Sequence, residues 1–151
     1  MVLITTSSPE ETLQLGERLA PYLRPGSVVA LRGGLGAGKT CLVKGIARGL
    51  GITEEVTSPT YTIISEYAGT RFPFGTLPLY HIDAYRLTGD DDFAGLGGEE
   101  ILYGSGISVI EWSERLPRSL PPEAITIDIE ICGGENRTIR ITGVDAGAEL
   151  A

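Results

Sequence analysis

The glycine-rich stretch from Gly33 to Thr40, GGLGAGKT, constrains the fold more than any other part of the chain, and it fits the pattern G-x-x-x-x-G-K-[ST]. A short apolar and β-branched run, Ser27 to Leu31, precedes it and predicts a buried strand. Apolar residues at helical spacing follow it from Leu42 to Leu50, and Gly51 can end that helix. Because glycines let successive amides turn inward and the helix adds its positive end, these three elements predict a phosphate-binding loop.

The remaining elements predict an α/β fold that is P-loop NTPase-like, with a mixed central sheet flanked by helices and a C-terminal β-hairpin. A capping-box pattern at Ser8 to Glu11 predicts a first helix, which Pro21 should kink or shorten. Further strands are predicted at residues 61–67, 78–85 and 107–112. The Gly/Pro-rich stretch between the first two of these could be a hairpin loop, though a long and irregular one. Alternating residues on either side of 133–136 predict the hairpin, and the acidic cluster at 90–92 could start a helix that later glycines interrupt.

The charge balance excludes a chain that binds nucleic acid strongly by itself. Its 20 acidic and 12 basic side chains give a formal net charge of −8, whereas direct binders of a duplex or of tRNA normally carry a basic stripe. No strong, direct nucleic-acid binding is therefore expected, and a role near RNA would run through a protein partner.

Length and apolar patterning predict one domain, a single P-loop ATPase domain over residues 1–151, without a membrane span. No window approaches the roughly eighteen continuous apolar residues that a span needs, and the first thirty or so residues lack a secretion signal, so we expect a cytoplasmic protein. Cys41 and Cys132 have no partner spacing for zinc or for a redox pair, and we expect both to be reduced and buried.

Three residues are candidates for the chemistry that a phosphate loop requires. Lys39 can reach the outer phosphates, and the hydroxyl of Thr40 can ligate Mg²⁺. Glu111 follows four apolar or small residues of a predicted buried strand, so its carboxylate should emerge at the sheet edge where the nucleotide lies. There it could hold the metal or orient water.

A second group surrounds the chain's single histidine, His81. If His81, Asp83 and Tyr85 alternate along a strand they share one face, and Asp83 becomes a candidate for Mg²⁺ or its waters. His81 could then support a switch segment, or it could be a packed and hydrogen-bonded strand residue. Arg86 could form a salt bridge with an acidic neighbour or stabilise charge in cis.

A third segment contains hydroxyl residues around a proline-fixed turn. It comprises Thr57, Ser58, Pro59 and Thr60. These residues could sense a terminal phosphate, as switch segments do, or they could form an ordinary surface turn.

Taken in order and at their spacing, GGLGAGKT, TSPTYTIISEY, HIDAYRL, EEIL and VIEWSERL resemble the bacterial tRNA threonylcarbamoyladenosine biosynthesis ATPase family TsaE, over roughly residues 8–142. The resemblance implies a small P-loop ATPase that works with the TsaD and TsaB proteins. That complex attaches threonylcarbamoyl to adenosine 37 of tRNAs reading ANN codons, and the ATPase would reset or drive it. The acidic surface suits this role, because the partners would hold the tRNA.

The resemblance also implies a site with Mg²⁺ and ATP or ADP as cofactors. The loop residues that would contact the nucleotide are Gly33, Leu35, Gly36, Ala37, Gly38, Lys39, Thr40 and Cys41. Thr40 and Glu111 would hold the metal, and residues 57–60 and 81–86 would form two switch-like segments. Near the base, the family pattern points to Glu11 or Thr12, and to Arg137. The chain departs from that pattern at Gly34, at Cys41 and in GLGGEEIL, and the last puts in doubt any partner contact made there.

Two other functions remain open from the residues. A small-molecule kinase of this size is one, although residues 88–106, the best candidate for a closing lid, contain no arginine. A module that senses ATP without needing to cleave it is the other.

Overall fold

The structure, a computed structural model, describes residues 1–34, 36–57, 63–71, 73, 75–144 and 150. Within these residues, seven strands form one mixed sheet in the order β1-β7-β6-β2-β5-β4-β3. The strands are β1 (Val2–Thr6), β2 (Val28–Arg32), β3 (Ile64–Arg71), β4 (Gly75–Asp83), β5 (Ile107–Glu111), β6 (Ile125–Gly133) and β7 (Asn136–Thr142). The α/β, P-loop NTPase-like fold with a mixed sheet and a C-terminal hairpin is thus confirmed.

The described helices are α1 (Pro9–Leu19), α2 (Lys39–Gly49), α3 (Asp90–Gly95) and α4 (Gly98–Leu102). Short 3-10 turns occupy Ala20–Tyr22, Ala84–Arg86 and Ser113–Arg115. Of the helices in the described ranges, none has both the length and the apolar character that crossing a bilayer requires.

The centre of the sheet is parallel. β2 pairs with β5 and β6, and β5 pairs with β4, all in parallel. Every residue of β5 and the first four residues of β2 are buried, as expected for strands covered on both faces. Parallel strands bring their carboxyl ends to one edge, where Glu111 is level with both Leu31 and Asp83.

Helices α1 and α2 cover one face of the sheet and approach each other closely. A Cβ atom added at Gly45 would lie 2.0 Å from the carbonyl oxygen of Leu13, and one at Gly16 would lie 2.4 Å from that of Leu42. Glycine is therefore required at this crossing.

A smaller apolar cluster, centred on the fully buried ring of Phe93, lies with α3 and α4 on Ile82 and Ile110 of the sheet.

Helix α1 starts as its sequence predicts. Ser8 Oγ accepts a hydrogen bond from the amide of Glu11 at 3.1 Å, and the carboxylate of Glu11 accepts from the amide and hydroxyl of Ser7. The two bonds from Ser7, that of its amide first and that of its hydroxyl second, hold the pKa of Glu11 below its ordinary value. The predicted shortening at Pro21 is also confirmed, because α1 ends at Leu19 and a 3-10 turn follows.

Several expectations about the strands were wrong. The sequence did not predict β1, an edge strand in which Leu3 faces solvent while Val2 and Ile4 are buried. β3 and β4 form the expected hairpin, but only three residues join them in place of a long loop, since Arg71 pairs with Gly75. Strand β4 ends at Asp83, so Tyr85 lies in the following 3-10 turn and not on a shared strand face.

The expected burial of both cysteines was also wrong. Cys41 is half-buried and Cys132 is exposed, and both are free thiols. Cys132 lies near the end of β6, where residues 130–133 extend into solvent.

Candidate functional site

The loop between β2 and α2 has the backbone that its glycines allow. Gly36 and Gly38 have φ angles of 75° and 102°, in the region that favours glycine. Gly38 is the N-cap of α2, and no side chain caps this helix end. The first amides of the helix and its positive dipole end therefore remain available to an anion.

Lys39, the first residue of α2, turns back into its own loop. It is 5 % exposed, and its Nζ donates to the carbonyl oxygens of Gly33 and, at 3.3 Å, of Gly34. The same Nζ lies 3.7 Å from the centre of the Trp112 ring. Burial lowers the pKa of Lys39, and the charges of nearby carboxylates, Glu111 foremost, oppose that shift. The loop thus holds a partly desolvated cation.

Thr40, Glu111 and His81 form a chain of polar contacts across three elements. Thr40 Oγ1 lies 3.3 Å and 3.5 Å from the two carboxylate oxygens of Glu111. Glu111 Oε2 accepts a hydrogen bond from His81 Nε2 at 2.5 Å, and both side chains are buried. His81 Nδ1 has no hydrogen-bond partner within the described residues. His81 therefore contacts Glu111 from the neighbouring strand through Nε2, while Nδ1 makes no hydrogen bond within the described residues.

Asp83 completes the group at this edge. It is the register partner of Glu111 on β4, and its Oδ1 accepts from the amide of Tyr85 at 3.0 Å. Asp83 and Glu111 line the same cleft as Lys39 and Thr40, with a volume of about 390 Å³. The structure thus brings together the four residues for which the sequence predicts catalytic or metal-binding roles.

The oxygen atoms in this cleft suit Mg²⁺ held jointly by protein and phosphate. In the described part of the chain, no group of three or more His, Cys, Asp or Glu side chains could enclose a metal by itself. Mg²⁺, however, usually takes one or two carboxylates and completes its shell with phosphate and water. The hydroxyl of Thr40 and the carboxylates of Glu111 and Asp83 fit that requirement.

Trp112, an aromatic residue beside the cleft, was not predicted as part of the site. Trp112 has a φ angle of 59°, and no other non-glycine among the described residues has a positive φ. Its ring lies 5.0 Å from that of Tyr85, and the guanidinium of Arg115 lies 5.1 Å from the same Tyr85 ring. The signal that could have found Trp112 is simple, because the chain's single tryptophan directly follows Glu111.

The predicted switch residues other than His81 differ in how far the structure describes their surroundings. Tyr85 borders the cleft and Arg86 is exposed, while Thr57 is exposed at the end of a described range. Ser58, Pro59 and Thr60 lie outside the described residues, as does Leu35 of the loop. Their switch roles stay predictions.

A second, smaller cleft of about 120 Å³ lies on the other side of the loop. Thr12, Cys41 and Arg137 line it, together with loop residues. The hydroxyl of Thr12 is hydrogen-bonded to that of Thr6 at 2.8 Å. Glu11 is not among the residues that line this cleft, and its carboxylate accepts hydrogen bonds from Ser7, just before α1. Thr12 and Arg137 thus lie where a nucleoside attached to loop-bound phosphates could extend.

Comparison with known proteins gives a consistent result. The model of the family described as "Threonylcarbamoyl adenosine biosynthesis protein TsaE" matches residues 6–139. A relative from Treponema pallidum, named tRNA threonylcarbamoyladenosine biosynthesis protein TsaE, is 46% identical over 134 residues, which are 89% of this chain and 95% of the relative. A Bacillus subtilis relative of the same name is 44% identical over 145 residues, covering 96% of this chain and 87% of that one.

A solved structure agrees with the sequence relatives. The crystal structure of YdiB from Bacillus subtilis superposes with a TM-score of 0.75 at 39% identity, covering 95% of this chain and 85% of that chain. The match to the family spans the phosphate loop, β4, β5 and Arg137, which are the parts of the fold that form both clefts. The chain belongs to the TsaE family of threonylcarbamoyl adenosine biosynthesis proteins.

Proposed function

We propose that this chain binds Mg-ATP at the loop between β2 and α2 and hydrolyses it slowly, in support of a TsaD–TsaB complex. That complex would form N6-threonylcarbamoyladenosine at position 37 of tRNAs reading ANN codons. Residues 1–151 would act as one cytoplasmic ATPase domain. The observation that carries the proposal is the meeting of Lys39, Thr40, Asp83 and Glu111 in one cleft beside the uncapped start of α2.

The loop's own groups would bind the phosphates. The amides at the start of α2 point along the helix axis toward an anion, and Lys39 would exchange the carbonyl oxygens of Gly33 and Gly34 for phosphate oxygens. Burial disfavours the charged lysine and nearby carboxylates oppose that shift, so an incoming phosphate would add a further negative charge beside Nζ. This added attraction would favour phosphate binding.

The residues around Glu111 would bind the metal and position the attacking water. Thr40 and Glu111 would hold Mg²⁺, which neutralises charge on the transferred phosphoryl group. His81 would keep the carboxylate of Glu111 oriented through its hydrogen bond at 2.5 Å. Asp83, in the same cleft, would hold the attacking water in line. The proposed roles include no covalent intermediate, so hydrolysis would rest on positioning and charge neutralisation.

The charge of the chain supports a division of labour with partners. A formal net charge of −8 repels tRNA, so the proposal leaves tRNA binding to TsaD and TsaB. Energy from ATP would then reach the tRNA site through contacts between proteins.

The test combines binding with turnover. Trp112 is the chain's single tryptophan and lies beside Lys39, so its fluorescence should change when Mg-ATP binds. We expect slow hydrolysis by the isolated chain and faster hydrolysis when TsaD and TsaB are added. Lys39→Ala should lose binding, whereas Lys44→Ala, which changes the chain's only other lysine, should keep it. Rapid hydrolysis by the pure chain that the partners leave unchanged would contradict the proposal.

Two further measurements separate the alternatives. A screen of small-molecule acceptors would detect phosphoryl transfer, and robust transfer to any of them would favour a kinase. Glu111→Ala, if it binds ATP normally, separates hydrolysis from sensing. Full activity of that variant in cells without hydrolysis would favour an ATP-sensing module.

A further inference from the structure

The guanidinium of Arg137 donates four hydrogen bonds, all to backbone carbonyl oxygens. Its Nε donates to Ala37 at 2.9 Å and one terminal nitrogen donates to Gly36 at 3.0 Å. The other terminal nitrogen donates to Gly134 at 2.7 Å and to Asn136 at 2.9 Å. Arg137 thus joins the C-terminal hairpin to a loop that lies 100 residues earlier in the chain.

These two loop carbonyls determine where the neighbouring amides point. In a planar trans peptide, the C=O and the following N–H point in opposite directions. Fixing the oxygens of Gly36 and Ala37 on the side of Arg137 therefore turns the amides of Ala37 and Gly38 away from it. The Ala37 amide donates to the carbonyl oxygen of Gly34 at 3.2 Å, a bond that a phosphate oxygen would replace. A phosphate-binding loop needs such amides to face the phosphates, with its carbonyls held elsewhere.

The sheet gives Arg137 a defined position for this task. Arg137 is the register partner of Thr6 on β1 and of Ile131 on β6, so strands flank it on both sides. Thr6 is hydrogen-bonded to Thr12, whose methyl carbon would be 3.8 Å from a Cβ atom at Gly38. The planar, forked guanidinium can serve two adjacent carbonyls at once, which a lysine ammonium cannot do with the same geometry.

We propose that Arg137 is a positioning residue of the phosphate loop, which acts on phosphate binding through the carbonyls of Gly36 and Ala37 and not by contact with the nucleotide base. The inference rests on the proposed nucleotide binding. It differs from the base-side role that the family resemblance implies for Arg137, and the two roles predict different ligand dependence.

The experiment measures the affinity of the full-length chain for two probes by calorimetry with Mg²⁺ present, Mg-ADP and inorganic tripolyphosphate. Arg137→Ala should weaken both by a similar factor, about ten- to hundredfold, because both need the loop amides. Arg137→Lys should recover only part of the loss. Arg140→Ala removes an exposed arginine from the same strand and should bind both probes as the unmodified chain does.

Each outcome has one meaning. Loss of Mg-ADP affinity in Arg137→Ala with tripolyphosphate binding unchanged would show a base contact and overturn the inference. Unchanged affinity for both probes would overturn it as well. Failure of the unmodified chain to bind either probe would instead refute the proposed function. Methylguanidinium added to Arg137→Ala should restore part of the affinity for both probes, and a thermal unfolding curve like that of Arg140→Ala would exclude general destabilisation.

Discussion

Replacing His81 with leucine should destabilise the fold far more than removing a neutral core hydrogen bond would. The substitution leaves Glu111, 4 % exposed, without the donor that lies 2.5 Å from its carboxylate. Leaving a buried acceptor without its donor costs about 1–3 kcal/mol, and more when the acceptor is charged. Because Glu111 also borders an open cleft, water can solvate one side of the carboxylate, and we expect about 3 kcal/mol, at the upper end of that range.

Urea unfolding measures this loss directly. With a typical slope of about 2 kcal/mol per molar urea, His81→Leu should lower the midpoint by roughly 1.5 M. His81→Gln keeps an N–H donor and should recover much of the loss. Glu111→Gln should cost only about 1 kcal/mol, since the amide oxygen can still accept from His81.

The double variant tests the reasoning most strictly. Leucine at both positions removes the unpaired carboxylate, so the pair of substitutions should cost less than the sum of the single ones, with a coupling of about 2 kcal/mol or more. A coupling below about 0.5 kcal/mol, or a His81→Leu midpoint equal to that of the unmodified chain, would refute the view that His81 holds a buried Glu111.

Three further predictions concern other parts of the molecule. Gly45→Ala should lower the free energy of unfolding by about 1–3 kcal/mol, because its Cβ would meet the carbonyl of Leu13, whereas Gly95→Ala, with open space at its Cβ, should change it little; equal midpoints in urea would contradict this. Burial raises the pKa of Asp90, but hydrogen bonds from Ser119 and the Arg118 amide outweigh it and leave that pKa below its ordinary value, so this carboxylate contributes stability at neutral pH that is lost as the pH falls through its folded pKa. Asp90→Asn should flatten the acid side of a stability curve measured between about pH 5 and 2, and an unchanged slope there would contradict the assignment. Trp112→Phe should tighten Mg-ADP binding about two- to fivefold in calorimetry, because a weaker cation–π contact releases Lys39 more readily; weaker binding would show that Trp112 serves the nucleotide itself.

The sequence predicts the centre of this fold well because local patterns decide it. The glycine loop between a β-branched run and an amphipathic stretch leaves little choice of element, and the burial of Ile107 to Glu111 follows from its composition. Glu111 therefore lies at the predicted edge. Strand β1 was not predicted because Leu3, an apolar residue at an exposed position, breaks the alternation of apolar and polar residues that marks a strand.

The contacts within the site depend on strand order, which no local pattern encodes. Only the neighbouring positions of β4 and β5 let His81 reach Glu111, so its partner could not be named from the sequence. The left-handed backbone of Trp112 was equally hidden, because a tryptophan carries no local preference for that conformation. The turn of Lys39 into its own loop likewise needs the three-dimensional positions of Gly33 and Gly34.

The order of strands in the sheet also affects when the site can form during synthesis. β6 and β7, the last strands made, lie between β2 and β1, so the first strand has no sheet neighbour until the hairpin arrives. The loop at Gly36 and Ala37 then gains its hydrogen bonds from Arg137 only after that residue, 100 positions beyond Ala37, has been made. Nascent chains that stop short of Arg137 can fold α1 against α2, because that contact is local in sequence. They should nevertheless lack the hydrogen bonds that Arg137 donates to the carbonyl oxygens of Gly36 and Ala37.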